Sequence, residues 1–212
     1  MITPEQLTDF QKDVLKEIGN IGAGNAATAL SRLVQKSVDM EVPSVKLIPF
    51  NEVTDMIGGA ELVVAATFLR VTGDAPGNMF FILPLDEAVH LIKQLTGDES
   101  ITEESIVQSE LPCSALQETG NILAGSYLSS FSDFTGLQLV PSVPYLTVDM
   151  AAAILSQGLF EMSQVSDYAI IIDTQLKDSV HINTGVKGHF LLLPDPESFQ
   201  KIFHSLGVPL NE

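Results

Sequence analysis

A glutamate and an asparagine separated by two residues occur twice in this chain, each time in nearly the same setting. Residues 17 to 24 read E-I-G-N-I-G-A-G and residues 118 to 125 read E-T-G-N-I-L-A-G, so six of eight positions agree at an offset of 101. The match extends outward: Asp13 falls on Ser114, Ser31 on Ser132, Val42 on Val143 and Pro43 on Pro144. A carboxylate can anchor a cation. A carboxamide donates and accepts hydrogen bonds and does not titrate. On a helix, Asp13, Glu17 and Asn20 at i, i+4 and i+7 fall within an arc of roughly 60°. Ser114, Glu118 and Asn121 repeat that polar stripe. One copy would be explained by a solvated helix face, but solvent-facing residues should drift after duplication, and these have not.

Other chemistries fail on inventory. G-A-G-N-A-A at 22 to 27 satisfies the dinucleotide fingerprint, but it falls inside a helical pattern with no preceding strand, and the second copy lacks it. His90, His181, His189 and His204 form no HxH or HxxxH pair, and with the single Cys113 they make no zinc site. Cys113 has Thr119, not arginine, six residues on, so no cysteine-phosphatase loop exists; a small buried thiol is its expected role. Arg32 and Arg70 are the only arginines, too few to clamp a free phosphorylated metabolite. A net charge of -17 disfavours nucleic acid and anionic membrane surfaces and suits partners of local positive potential. One cysteine, no basic-apolar leader at M-I-T-P-E-Q and no apolar run of membrane-spanning length predict a cytoplasmic globular protein without membrane insertion.

The elements that must carry the stripes repeat as well. Thr3, Pro4 and Gln6 read as a capped helix start. Leu7, Phe10, Val14, Ile18 and Ile21 follow at helical spacing as its buried face, running towards Leu33 or Val34. Residues 40 to 50 read as an extended segment that two prolines confine to an edge or break. A short helix is expected at 51 to 57, strands at 61 to 71 and 78 to 83, then a helix closed by Gly97. The second half gives a helix over about 107 to 133, an extended segment from Gln138 to Leu146, a short helix capped by Asp149 and strands near 168 to 174 and 190 to 193. A last helix ends before Gly207. Each half reads α-β-α-β-β-α. The expected fold class is α/β of the α+β type, one domain over 1 to 212. Its half-repeats (about 1 to 100 and 101 to 212) share a mainly antiparallel sheet flanked by helices about a pseudo-twofold axis. Gly19, Gly22 and Gly24 in one helix each cost about 1 kcal/mol relative to Ala, implying close approach of another backbone and access to Glu and Asn.

The pattern Asp/Ser-x3-Glu-x2-Asn-x22-Pro, met at Asp13-Glu17-Asn20-Pro43 and at Ser114-Glu118-Asn121-Pro144, resembles the signature of the CheC/CheX/FliY family of CheY-P phosphatases. Two intact copies are similar to the CheC branch, since CheX chains carry one. The resemblance implies hydrolysis of the phosphoaspartate on the CheY receiver, which brings its own Mg²⁺ and lysine, so the phosphatase needs no cofactor. It implies that Asn20 and Asn121 hold the attacking water and that Glu17 and Glu118 pair with the receiver's lysine. Asp13, Ser114, Pro43 and Pro144 would support them. It also implies binding of the receptor deamidase CheD through V-D-M-A-A-A-I-L at 148 to 155, where Asp149 is the candidate contact. Two alternatives follow: a non-catalytic adaptor for CheD or a regulator, and a structural flagellar-switch protein, which would leave the Glu/Asn pairs unexplained. Leu123 at the place of Gly22 implies a more crowded second site.

Overall fold

The motif helices are the longest elements. In the computed structural model, which describes residues 8–160, 168–178 and 185–207, α1 runs over Asp9–Val34 and carries the first stripe. Thr8 caps it: the Thr8 hydroxyl accepts from Gln11 N and the Gln11 side chain accepts from Thr8 N, a closed capping box. The start expected at Thr3, Pro4 and Gln6, and Leu7, lie outside the described residues. The first half continues with β1 (Val38–Glu41), β2 (Val45–Pro49), a 3-10 turn (Phe50–Glu52), α2 (Val53–Met56), β3 (Val63–Gly73), β4 (Gly77–Pro84) and α3 (Leu85–Thr96). The second opens with the short α4 (Glu103–Gln108) and continues with α5 (Glu110–Thr135), β5 (Leu139–Pro141), β6 (Tyr145–Met150), α6 (Ala151–Phe160), β7 (Tyr168–Asp178), β8 (Val186–Pro194) and α7 (Pro196–Ser205).

The single helix expected from 107 is divided. Ser109 is extended and α5 begins at Glu110, because Pro112 is tolerated only in a first turn, where its missing N–H leaves no bond unmade. The break expected in the first extended segment falls at Pro43, which lies in the gap between β1 and β2; in the second, Pro144 lies in the gap between β5 and β6.

Pairing exchanges these broken strands between halves. The sheet order is β1-β7-β8-β4-β3-β5, with β2 also along β7 and β6 also along β3. Every strand pair among the described residues is antiparallel. The segment following α1 therefore lies on a strand of the second half, and the segment following α5 on a strand of the first. Strand alternation sorts the core into two layers. Ala65, Leu69, Met79, Phe81, Ile170, Ile172 and Phe190 face α1, α3, α5 and α7. Val64, Ala66, Phe80, Ile82, Ala169, Ile171 and Leu191 face α2 and α6. No helix among the described residues is long and apolar enough to cross a membrane.

Candidate functional site

The buried face of α1 consists of Gln11, Leu15, Ile18, Gly19, Gly22, Ala23, Ala26 and Leu30. The expected face is thereby corrected: Ile18 is buried and Val14 half-buried, but Phe10 and Ile21 are 71% and 44% exposed. The contact surface is lined by glycine and alanine because α1 packs tightly on α5 and on the β1–β2 turn. A Cβ on Gly22 would stand 2.7 Å from Tyr127 Cδ1 and 3.1 Å from Tyr127 Cα; one on Gly19 would meet Val42 and Val45 from 3.4 Å. A Cβ on Gly120 would stand 2.6 Å from Thr67 Oγ1 on β3. Gly24 and Gly125 have nothing within 4 Å. Most of the repeated glycines therefore serve internal packing, and only the last of each copy leaves open space beside the stripe.

Asp13, Glu17 and Asn20 are all exposed along α1, as are Ser114, Glu118 and Asn121 along α5. Among the described residues, no hydrogen bond or ion pair engages the side chains of Glu17, Asn20, Glu118 or Asn121. Gly19 and Gly120, one residue before each asparagine, hold the helices close to their supports, so each stripe is rigidly based yet open to a partner. Leu123 is fully buried, which corrects the expected crowding of the second site: it fills the core and leaves the stripe clear. The fingerprint-like G-A-G-N-A-A lies wholly inside α1, with no strand before it among the described residues.

The two proline turns differ. Pro43 is exposed between Val42, buried against Gly19, and Ser44. Pro144 is half-buried and its carbonyl accepts from Gln117 Nε2 at 2.7 Å, while Val143 is 85% exposed. Gln117 was not anticipated; its only sequence signal is adjacency to Glu118. In the first copy its place is taken by Lys16, an exposed cation beside the stripe.

A second unanticipated group lies behind Pro43. The Ser44 hydroxyl donates to Asp173 Oδ2, Asp173 N donates to Ser44 O at 2.9 Å, and Lys46 Nζ reaches Asp173 Oδ2 at 3.3 Å. His189 Nδ1 lies 2.9 Å from Asp173 Oδ1. Burial alone would raise the Asp173 pKa, but the hydrogen bonds from His189 and Ser44, with the nearby charges of His189 and Lys46, outweigh it and hold the carboxyl at about 2. The other histidines take lesser parts: His90 bonds Gln94, His204 is exposed, and His181 lies outside the described residues. Cys113 is half-buried rather than buried, its thiol donating to the Ile106 carbonyl at 2.8 Å. Arg70 is held by both carboxylate oxygens of Asp195, at 3.0 and 2.6 Å. Among the described residues no three His, Cys, Asp or Glu side chains are grouped to hold a metal.

Asp149 does not cap α6. It is the penultimate residue of β6, exposed, and its carboxylate accepts from Met150 N. The first helical N–H groups are taken by backbone instead: Ala151 N donates to Leu62 O and Ala152 N to Ala60 O.

The fold, an antiparallel sheet carrying two long helices, is shared with solved structures of other proteins. The chain superimposes on Thermotoga maritima FliY with a TM-score of 0.70 at 22% identity, covering 95% of this chain and 98% of that one. It superimposes on the FliM middle domain of H. pylori with a TM-score of 0.66 at 12% identity, covering 94% and 99%. The CheC-like family model matches residues 10–47 and 111–148, the two motif helices with their following strands. The CheY-P phosphatase CheC of Bacillus subtilis (strain 168) is 47% identical over 204 residues, 96% of this chain and 97% of that protein. The chain belongs to the CheC-like family.

Proposed function

We propose that the two exposed stripes are separate sites for hydrolysing the phosphoaspartate of a CheY receiver. The chain is a phosphatase acting on phosphorylated CheY, in keeping with its full-length relative. The observation that carries the site assignment is the repetition of an exposed Glu–Asn pair, one helical turn apart, with no partner of its own among the described residues. An acyl phosphate is intrinsically labile, so catalysis consists of positioning a water and stabilising transition-state charge. Asn20 or Asn121 holds the water in line with phosphorus through its amide, which accepts from the water and does not titrate. Glu17 or Glu118 pairs with the receiver's lysine and fixes register. Asp13 and Ser114 extend the stripe by a turn, and the Pro43 and Pro144 turns brace its base.

The cation that neutralises the phosphoryl group belongs to the substrate. Arg70 is committed to Asp195, and Arg32 stands about 18 Å along α1 from Asn20. Lys16 flanks only the first stripe, with Gln117 in its place in the second, so no cation is common to both sites. Acceleration of receiver dephosphorylation should therefore disappear when the receiver's Mg²⁺ is chelated. Decay of the phosphorylated receiver, followed with and without the phosphatase in excess chelator, checks this; acceleration that survives chelation removes the borrowed-cation mechanism.

Binding of CheD is the second reading, favoured by the surface around Asp149. Val63 and Met150 are cross-strand neighbours and both remain exposed, forming with Asp149 a mixed apolar and acidic rim at the start of α6. Asp149→Lys should weaken CheD binding about tenfold or more, since reversing a charge that faces a complementary partner sets like charges against each other. Basal phosphatase activity should persist, because Asp149 caps nothing and touches neither stripe. Titration of CheD against wild-type and variant protein reads the effect, and an unchanged affinity excludes Asp149 from the interface.

A further inference from the structure

The two motif turns are anchored by unrelated means, and the first is held across the pseudo-twofold axis. Sheet register makes the comparison direct. Val45 pairs Ile172 on β7, and its repeat equivalent Leu146 pairs Thr67 on β3. Asp173 therefore stands where the other half has Phe68, and His189, paired with Asp173, stands where it has Phe80. Phe68 and Phe80 pack as tilted rings 5.0 Å apart. At Ser44 the second half carries the exposed Tyr145, and at Lys46 it carries Thr147. The whole Ser44–Lys46–Asp173–His189 group thus has no counterpart at the second turn. That turn is fixed instead by Ser142, whose N donates to Arg70 O and whose hydroxyl accepts from Arg70 N, and by Gln117 on the Pro144 carbonyl.

We propose that Asp173 is a positioning residue of the first phosphatase site and not of the second. Asp173 continues the side of β7 marked by Ala169 and Ile171, which faces away from α1. From there it holds Ser44 by side chain and backbone, while Val42 and Val45 press the opposite side of the turn onto Gly19. The turn carrying Pro43 is gripped from both sides, against Gly19, the residue before Asn20. Removing the carboxylate releases one grip, and a displacement of the support by about 1 Å is enough to lower a positioning-dependent rate substantially. The second site, braced through Arg70 and Gln117, is untouched. This rests on reading Asn20 and Asn121 as the water-positioning residues of independent sites.

Single-site proteins make the test. Asn121→Ala leaves only the first site and Asn20→Ala only the second; Asp173→Ala is added to each, and kcat and KM are measured with phosphorylated, Mg²⁺-loaded CheY receiver. In the first background kcat should fall about tenfold with KM little changed. In the second, both constants should stay as they were. Asp173→Asn, which keeps an acceptor for Ser44, should restore most of the rate. Ser44→Ala, which deletes one hydroxyl and spares the fold, should reproduce the loss in the first background alone. Equal losses in both backgrounds would make Asp173 a general support of the sheet, and no loss in either would show that the turn needs no tether; each overturns the proposal. Full activity in Asn20→Ala/Asn121→Ala would overturn the site reading itself, and the role of Asp173 with it.

Discussion

Replacing both Asn20 and Asn121 by alanine is expected to reduce dephosphorylation of the receiver to its own unassisted rate, a loss of roughly a hundredfold or more in the protein's contribution. Either single substitution should leave measurable activity, because each long helix carries its own asparagine and glutamate. The loss should appear in kcat with receiver binding mostly retained, since water positioning matters chiefly in the transition state. Stability should barely change, both side chains being exposed and unpartnered among the described residues. The check is receiver decay with wild type, the two singles and the double. If one single substitution removed all activity, the other copy would be a structural relic. If the folded double variant kept full activity, these asparagines would not be catalytic. Point substitution is the required approach. The exchanged edge strands mean that deleting either half removes the strand on which the other half's proline turn rests.

Gly120→Ala is expected to give the largest loss of stability among small changes in the motif, about 2–3 kcal/mol from overpacking. The added methyl would lie 2.6 Å from Thr67 Oγ1 and 2.7 Å from both Thr67 Cβ and Cγ2. Rotating Thr67 cannot relieve this, because its Cβ is itself in the way and both residues are buried. The helix must move off β3, and Asn121, the next residue, moves with it. Activity of the second site should fall together with stability. Gly125→Ala is the control: nothing lies within 4 Å of its Cβ position, and exchanging glycine for alanine within a helix gains up to about 1 kcal/mol. Denaturant unfolding of the two variants against wild type measures both effects. A Gly120→Ala midpoint equal to that of wild type would disprove the close seat of α5 on β3.

Much of this protein was legible in its sequence because the informative signals are local. The repeat at an offset of 101, the polar stripe of Asp13, Glu17 and Asn20, and the interruption of the segment at 40 to 50 by proline each depend on helical period or backbone chemistry, and all recur in the structure. So did the order of elements in each half and the antiparallel class of the sheet. The misreadings came where neighbours in space overrule periodicity. Phe10 and Ile21 carry helical spacing but stay exposed, because the tight contact with α5 is made through Gly22, Ala23 and Ala26, which a search for large apolar residues passes over. Leu123 could be judged crowding or buried only once the crossing of α1 and α5 was known. Asp149 has a capping residue's chemistry, yet the carbonyls of Ala60 and Leu62 reach the α6 N-terminus first.

What the sequence determined by itself is the make-up of the two polar stripes: which side chains stand together on one helix face, fixed by 3.6 residues per turn. What only the tertiary structure decided is how each face is braced. Pairing of β2 with β7 and of β6 with β3 is set by strand register between segments more than 70 residues apart. It brings Asp173 to Ser44 across 129 positions, a juxtaposition that no local pattern encodes, because it arises from the mutual burial of two halves rather than from the conformation of either.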